Sequence, residues 1–139
     1  MDNRAIISVS SNHGDELDDI VEVVTAGEFF KKDDCYLAIY EETEISGMEG
    51  TTTTFKIFKD RFLLIREGTT SAVMNFEKNK EESSLYNTPY GMLEIKIDTI
   101  NLDIDMDDIG GDVSIDYKMS LGGQKALSTF LKVNIKNIK

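Results

Sequence analysis

Few side chains in this sequence have the type and spacing that do chemistry. The carboxylates of Glu41, Glu42, Glu44 and Glu49 lie close together, as the paired acid and base of a glycoside hydrolase must. On an extended strand, however, Glu41 and Glu42 leave on opposite faces, which parts the two groups that would have to cooperate. His13 is the single histidine and Cys35 the single cysteine, so four zinc ligands cannot be gathered from these residue types. A Ser-His-acid triad would have to run through His13, in a polar stretch. Cys35 can close no internal disulfide and reads as a small apolar packing residue. Asp103, Asp105, Asp107 and Asp108 begin like a calcium loop. An EF-hand would need glycine in place of Asp108, an acid in place of Ser114, and flanking helices. Neither Gly110-Gly111 nor Gly122-Gly123 opens a helix, so neither cradles a phosphate. These residues predict no catalysis, no cofactor and no metal centre.

The elements that carry them are strands. Residues 90–121 hold Ile100, Leu102, Ile104 and Met106, then Val113, Ile115, Tyr117, Met119 and Leu121. That is the period-two signature of half-buried strands. A tight turn on Gly110-Gly111 predicts Met106 opposite Ile115, Ile104 opposite Tyr117, Leu102 opposite Met119 and Ile100 opposite Leu121. The other face is wet, and Asp105 is expected opposite Asp116, a repulsive pair that a hard cation could relieve. Upstream, Leu93, Ile95 and Ile97 are apolar at odd positions, whereas the later set is even. A strand changes phase only through an extra residue, so a bulge is expected at Asp98-Thr99. A long bent strand suits a closed barrel.

Two shorter hairpins can be registered. A turn at Lys59-Asp60 sets Ile57, Phe55 and Thr53 opposite Phe62, Leu64 and Arg66. A three-residue loop, Gly68, Thr69 and Thr70, then sets Leu64, Phe62 and Arg66 opposite Met74, Phe76 and Ala72. Arg66 therefore shares the core-facing phase, near one strand end. A buried arginine finds a carboxylate or an anionic ligand, and Glu41 or Glu42 is placed to answer it. Around Gly122-Gly123 an odd loop is expected to bring Tyr117, Ile115 and Val113 opposite Leu131, Val133 and Ile135. The inner face of residues 29–42 stays open, because both faces are apolar or aromatic. Residues 77–84 read as a polar loop. The presumed inner residues are bulky (Phe55, Phe62, Leu64, Phe76, Tyr117, Met119), which predicts a filled interior.

Composition bounds the rest. The chain has 139 residues, 40% apolar and 29% charged, enough for one domain spanning 1–139. A formal charge of −11 argues against nucleic acid or an anionic membrane surface as partner. The charge is uneven, with seven aspartates and no base in residues 98–116 and five lysines and no acid after them. No apolar run approaches the roughly 18 residues of a membrane span, and the first residues lack a signal-peptide core. A cytoplasmic chain is expected.

Gly27-Glu28-Phe29-Phe30-Lys31-Lys32, the stretch from Tyr36 to Glu42, Arg66-Glu67-Gly68, Thr88-Pro89-Tyr90-Gly91, and residues 103–119 occur in an order and spacing that resemble the YwiB-like family. These are small, uncharacterised bacterial β-barrel proteins. The resemblance runs from about Ala5 to Asn134 and implies a calycin-type, lipocalin-like barrel, with no activity and no catalytic residues to carry over. The chain departs from secreted lipocalins, having no tryptophan and no disulfide.

The expectation is an all-β chain, one closed antiparallel barrel of about eight to ten strands. Its expected function is to bind a small anionic or amphipathic molecule at the barrel mouth. Arg66 and Glu41 would supply the charges there, and Tyr40, Tyr90 and Tyr117 the lining. The competing expectation is a ligand-free barrel acting as a homodimer or a protein-interaction subunit. An open cavity with Arg66 unpaired favours the first, and a packed interior with an apolar outer patch the second.

Overall fold

The fold follows from period-two alternation that recurs along most of its strands. In a computed structural model the described residues are 3–13, 20–43, 49–89, 91–123 and 126–138. They form β1 (Arg4–His13), β2 (Ile20–Lys32), β3 (Cys35–Glu41), β4 (Thr51–Ile57), β5 (Arg61–Gly68), β6 (Ser71–Glu77), β7 (Glu81–Thr88), β8 (Gly91–Asp107), β9 (Gly110–Leu121) and β10 (Leu127–Asn137). Each strand pairs antiparallel with the next, and β10 pairs back onto β1, closing the barrel. Closure leaves no free sheet edge. No helix among the described residues is long and apolar enough to cross a membrane.

The two short hairpins have the expected registers. Thr53, Phe55 and Ile57 lie opposite Arg66, Leu64 and Phe62, and these in turn opposite Ala72, Met74 and Phe76. The phase change in β8 also exists. The ladder to β9 shifts between Thr99 and Asn101, slightly later than expected, so Ile100 is the extra residue and points outward at 43% exposure. The backbone of Thr99 is held across the bulge by the β6–β7 turn. Its N–H donates to the Lys80 carbonyl at 3.1 Å and its carbonyl accepts from the Asn79 N–H at 2.9 Å.

The long hairpin corrects two expectations. Leu102, Ile104 and Met106 lie opposite Ile115, Val113 and Gly111, and Ile100 pairs with nothing. The chain turns at Asp108-Ile109, two residues before the glycines, where the Ile109 N–H donates to Asp107 Oδ1 at 3.0 Å. Gly110 and Gly111 instead belong to β9, with φ of 127° and 155°. A Cβ on Gly110 would strike the Ile135 carbonyl, and one on Gly111 the Asp105 carbonyl. The glycines are required by backbone approach on both flanks, and not by the turn. The repulsive pair is accordingly Asp105 with Asp112, while Asp116 faces Asn101. Asp112 is relieved by Asn134, whose Nδ2 donates to it at 2.8 Å. In β10, Leu131 and Val133 lie opposite Ile115 and Val113, two residues from the expected register. Every one of these shifts is even, so each apolar side chain keeps its face.

Residues 77–84 are not one loop, because β7 begins at Glu81. Its ladder to β6 is short: only Ser71 with Asn87 and Ala72 with Tyr86 are paired. Beyond them side chains bridge the two strands, Ser84 Oγ donating to the Val73 carbonyl at 2.6 Å and Asn75 Nδ2 to Glu82 Oε1 at 3.0 Å. The sequence of β7 hides this strand because its inward positions include Glu82 and Ser84, not an apolar run.

Inside, a chain of rings crosses the barrel. Tyr40 meets Phe55 at 5.6 Å between centroids, Phe55 meets Phe62 at 5.1 Å, Phe62 meets Phe76 at 6.1 Å and Phe76 meets Tyr117 at 4.8 Å. Below this belt Ala5, Ile7, Phe29, Ile57, Ile97, Val113, Val133 and Ile135 fill the interior. The Tyr36 hydroxyl donates to Asp108 Oδ1 at 2.8 Å, tying β3 to the β8–β9 turn.

Two measurements check this account. Gly111→Ala should destabilise the fold by about 2–4 kcal/mol, read as a lowered thermal midpoint; an unchanged midpoint would contradict the backbone approach described. In native-state amide exchange, residues 83–85 should be protected at least about tenfold less than residues 113–117, because few ladder bonds hold the β6–β7 seam. Equal protection would show the seam to be as tightly paired as its neighbours.

Candidate functional site

The end of the barrel that carries the β1–β2, β3–β4, β5–β6, β7–β8 and β9–β10 connections is not filled by the described side chains. A cavity of about 370 Å³ lies there, above the aromatic belt. Its walls are mostly apolar, with Val9, Met74, Ile95, Met119, Leu121 and Leu131 among them. The filled interior expected from bulky inward residues holds for one half only. Met119 borders the empty half because β9 places it near its strand end, and Leu64 because it is the inward residue next to Arg66 along β5.

Strand phase decides which polar groups enter. In β5, Phe62, Leu64 and Arg66 share the inward face, so the guanidinium follows two core residues into the barrel. The adjoining β5–β6 turn is pinned next to it. Thr70 donates its N–H to Thr51 Oγ1 at 3.1 Å, and the Thr51 and Thr69 hydroxyls lie 2.9 Å apart. In β3, Tyr40 lies opposite Thr53 and so shares the face of Arg66. The inner face left open by the sequence is therefore that of Phe29, Ala38, Tyr40 and Glu42.

This corrects the carboxylate. Glu41 lies on the outer face, exposed, opposite Thr52. Glu42, one residue on, turns inward with its side chain 2% exposed. The Thr53 hydroxyl donates to Glu42 Oε2. Arg66 Nε stands 3.9 Å from the same oxygen, with the arginine side chain 18% exposed. That separation is an ion pair but exceeds the 2.7–3.2 Å of an N–H···O bond. Arg66 Nε is buried and has no hydrogen-bond partner. Tyr40 and Tyr117 both border the cavity. Burial, and then the charge of Glu42, push the Tyr40 hydroxyl far above its ordinary pKa. Burial pushes Tyr117 up to about 12, against the opposing influence of Arg66. Tyr90 lies outside the described residues. Tyr86, which no motif singled out, also lines the cavity. Its signal was its even spacing from Ser84 on β7, a strand the sequence did not reveal.

Among the described residues no group of three or more histidine, cysteine or acidic side chains is placed to hold a metal ion. The cavity offers a neutral ion pair, one donor without an acceptor, the buried phenols of Tyr40 and Tyr117, the side chain of Tyr86 and apolar walls. Mostly apolar walls with a few polar groups are the chemistry of small-molecule pockets.

The family described as "Domain of unknown function (DUF1934)" matches residues 5–133. The chain belongs to this family. Among curated proteins it is similar to the "Uncharacterized beta-barrel protein YwiB" of Bacillus subtilis (strain 168), 27% identical over 119 residues, covering 85% of this chain and 80% of that protein. The crystal structure of the YwiB protein from Bacillus subtilis superposes with a TM-score of 0.86 at 21% identity, covering 99% of this chain and 93% of that one. At that identity the match shows the shared barrel fold.

The buried phenols give a pH test. A group whose folded pKa lies above its unfolded value stabilises the fold fully below the unfolded value, near 10 for tyrosine. That stabilisation is lost as pH rises through the folded value. Stability should therefore fall between pH 10 and about 12. Tyr117→Phe should flatten that decline in denaturant titrations at several pH values, and an identical decline in the variant would contradict the burial of this hydroxyl.

Proposed function

We propose that this DUF1934 barrel is a non-catalytic binding module that takes a small amphipathic molecule into the cavity at its open end. The apolar part rests on the aromatic belt and the aliphatic walls, and an acceptor on the polar head meets Arg66. The observation that carries this reading is the guanidinium Nε, buried at the cavity wall without a hydrogen bond. A buried unmet donor is costly, and a ligand acceptor at this position offsets that cost. At the roughly 30 Å³ that one water occupies in the liquid, a cavity of about 370 Å³ admits a molecule of about a dozen non-hydrogen atoms. Small-molecule pockets of this size have mostly apolar walls and a few polar groups that fix orientation. The one carboxylate and one guanidinium among the described lining residues are engaged with each other. This supports binding over acid–base chemistry.

The reading of the barrel as an assembly subunit has a smaller support. Val73, Leu85 and Met92 are 49%, 59% and 61% exposed on the outer wall of β6, β7 and β8. Native mass spectrometry of the purified protein weighs the two together, since it reports bound mass and subunit number at once. A monomer carrying a small bound mass is expected. Arg66→Ala should release that mass from a barrel that stays folded by circular dichroism. Met119→Trp, which fills the cavity and leaves the ion pair alone, should release it too. A dimer with no bound mass, and no thermal shift with any amphiphile, would put the assembly reading first.

A further inference from the structure

We propose that the head of the bound molecule is an uncharged acceptor, a carbonyl, amide or hydroxyl oxygen, and not an anion. The inference rests on the cavity being a ligand site, as read above, and concerns which chemistry that site selects. Arg66 alone would call for an anion. Glu42 changes the balance.

Among the described residues that line the cavity, only Arg66 and Glu42 carry charge. Their charges cancel locally. The Glu42 carboxylate cannot swing away from the pair, because it is buried at 2% exposure and accepts the Thr53 hydroxyl. An anionic head at Arg66 would therefore lie within a few ångströms of a second, fixed negative charge. In a pocket with mostly apolar walls that repulsion is poorly screened. The whole chain, at −11, adds to it at longer range. The donor side points the same way. At 3.9 Å the pair settles the charge of Arg66 and leaves its Nε–H without an acceptor. What the site lacks is a lone pair, not a countercharge. A dipolar oxygen supplies it and adds no charge beside Glu42. The Tyr40 phenol is hydrogen-bonded to Glu42, while that of Tyr117 stays protonated around neutral pH and can also donate to such an oxygen.

Octanamide and octanoate are suitable probes, because they match in chain length and in number of non-hydrogen atoms and differ in head charge. Each is titrated calorimetrically, with thermal melts alongside, at pH 7 against the full chain and against Glu42→Gln. In the unsubstituted protein octanamide should bind at least about tenfold more tightly than octanoate. Glu42→Gln keeps the shape of the side chain and removes its charge, so octanoate should gain about tenfold or more and the preference for octanamide should be largely lost. Octanoate binding as well as octanamide to the unsubstituted protein would overturn the neutral-head inference and leave the cavity as a ligand site. An unchanged ratio in a folded Glu42→Gln protein would overturn it too, since Glu42 would then not be the discriminating charge. Binding of neither probe to either protein would overturn the ligand reading itself, and this inference with it.

Discussion

The interior of this barrel is divided by five aromatic rings in contact, and that partition decides what each half can do. Tyr40, Phe55, Phe62, Phe76 and Tyr117 come from five strands and touch in sequence. Aromatic contacts with centroids about 4.5–7 Å apart add to the stabilisation from buried area alone. They also form a rigid floor. Below it the space is filled by branched aliphatic residues and Phe29. Above it the strands continue, and among the described lining residues the only charges turned inward form the pair of Arg66 and Glu42. Both ends of the belt are tyrosines, and both border the cavity.

How much of this was legible in the sequence depends on which property is asked for. Inward or outward orientation has period two, and an error of any even number of residues in register leaves it intact. The long hairpin, whose partners lie four residues from their expected places, shows this. Reading the turn at Gly110-Gly111 moved every partner, yet Leu102, Ile104, Ile115 and Tyr117 still faced inward. The bulge at Ile100 was visible for the same reason, since only an inserted residue reconciles odd apolar positions with even ones. The reason for the glycines was not visible. Close backbone approach from Asp105 and Ile135 depends on how three strands stack side by side, and no local pattern records that. β7 was missed because its inward positions Glu82 and Ser84 are polar, so the alternation has no hydrophobic signal to read.

The site was legible in proportion to loop length. Arg66 was placed inward because two tight turns chained β4, β5 and β6 with no ambiguity in register. Tyr40 and Glu42 lie on β3 or at its end, and the connection to β4 is long enough that phase cannot be carried across it. Both faces of that strand are apolar or aromatic, so its own composition gave no vote either. The choice between Glu41 and Glu42 turned on the pairing of Tyr40 with Thr53, which is a tertiary fact. An adjacent-residue error on a strand is the largest possible in orientation, exchanging an exposed carboxylate for a buried one.

Packing and binding are also separated along the wall. The strands with the longest ladders, β8 with β9 and β9 with β10, run past both halves and hold the cylinder. The shortest ladder, β6 with β7, lies beside the cavity. Just past its paired residues an outer groove, lined by Ile65, Val73, Leu85 and Arg66 itself, approaches the same wall from solvent. Arg66 thus borders both the inner cavity and this groove. A molecule seated against Arg66 would add contacts where the backbone supplies fewest. Ligand that binds only the folded state stabilises it in proportion to RT ln(1 + [L]/Kd), and here that gain would fall on the least supported part of the wall. The belt allows this arrangement, because it holds the lower half together whether or not the upper half is occupied.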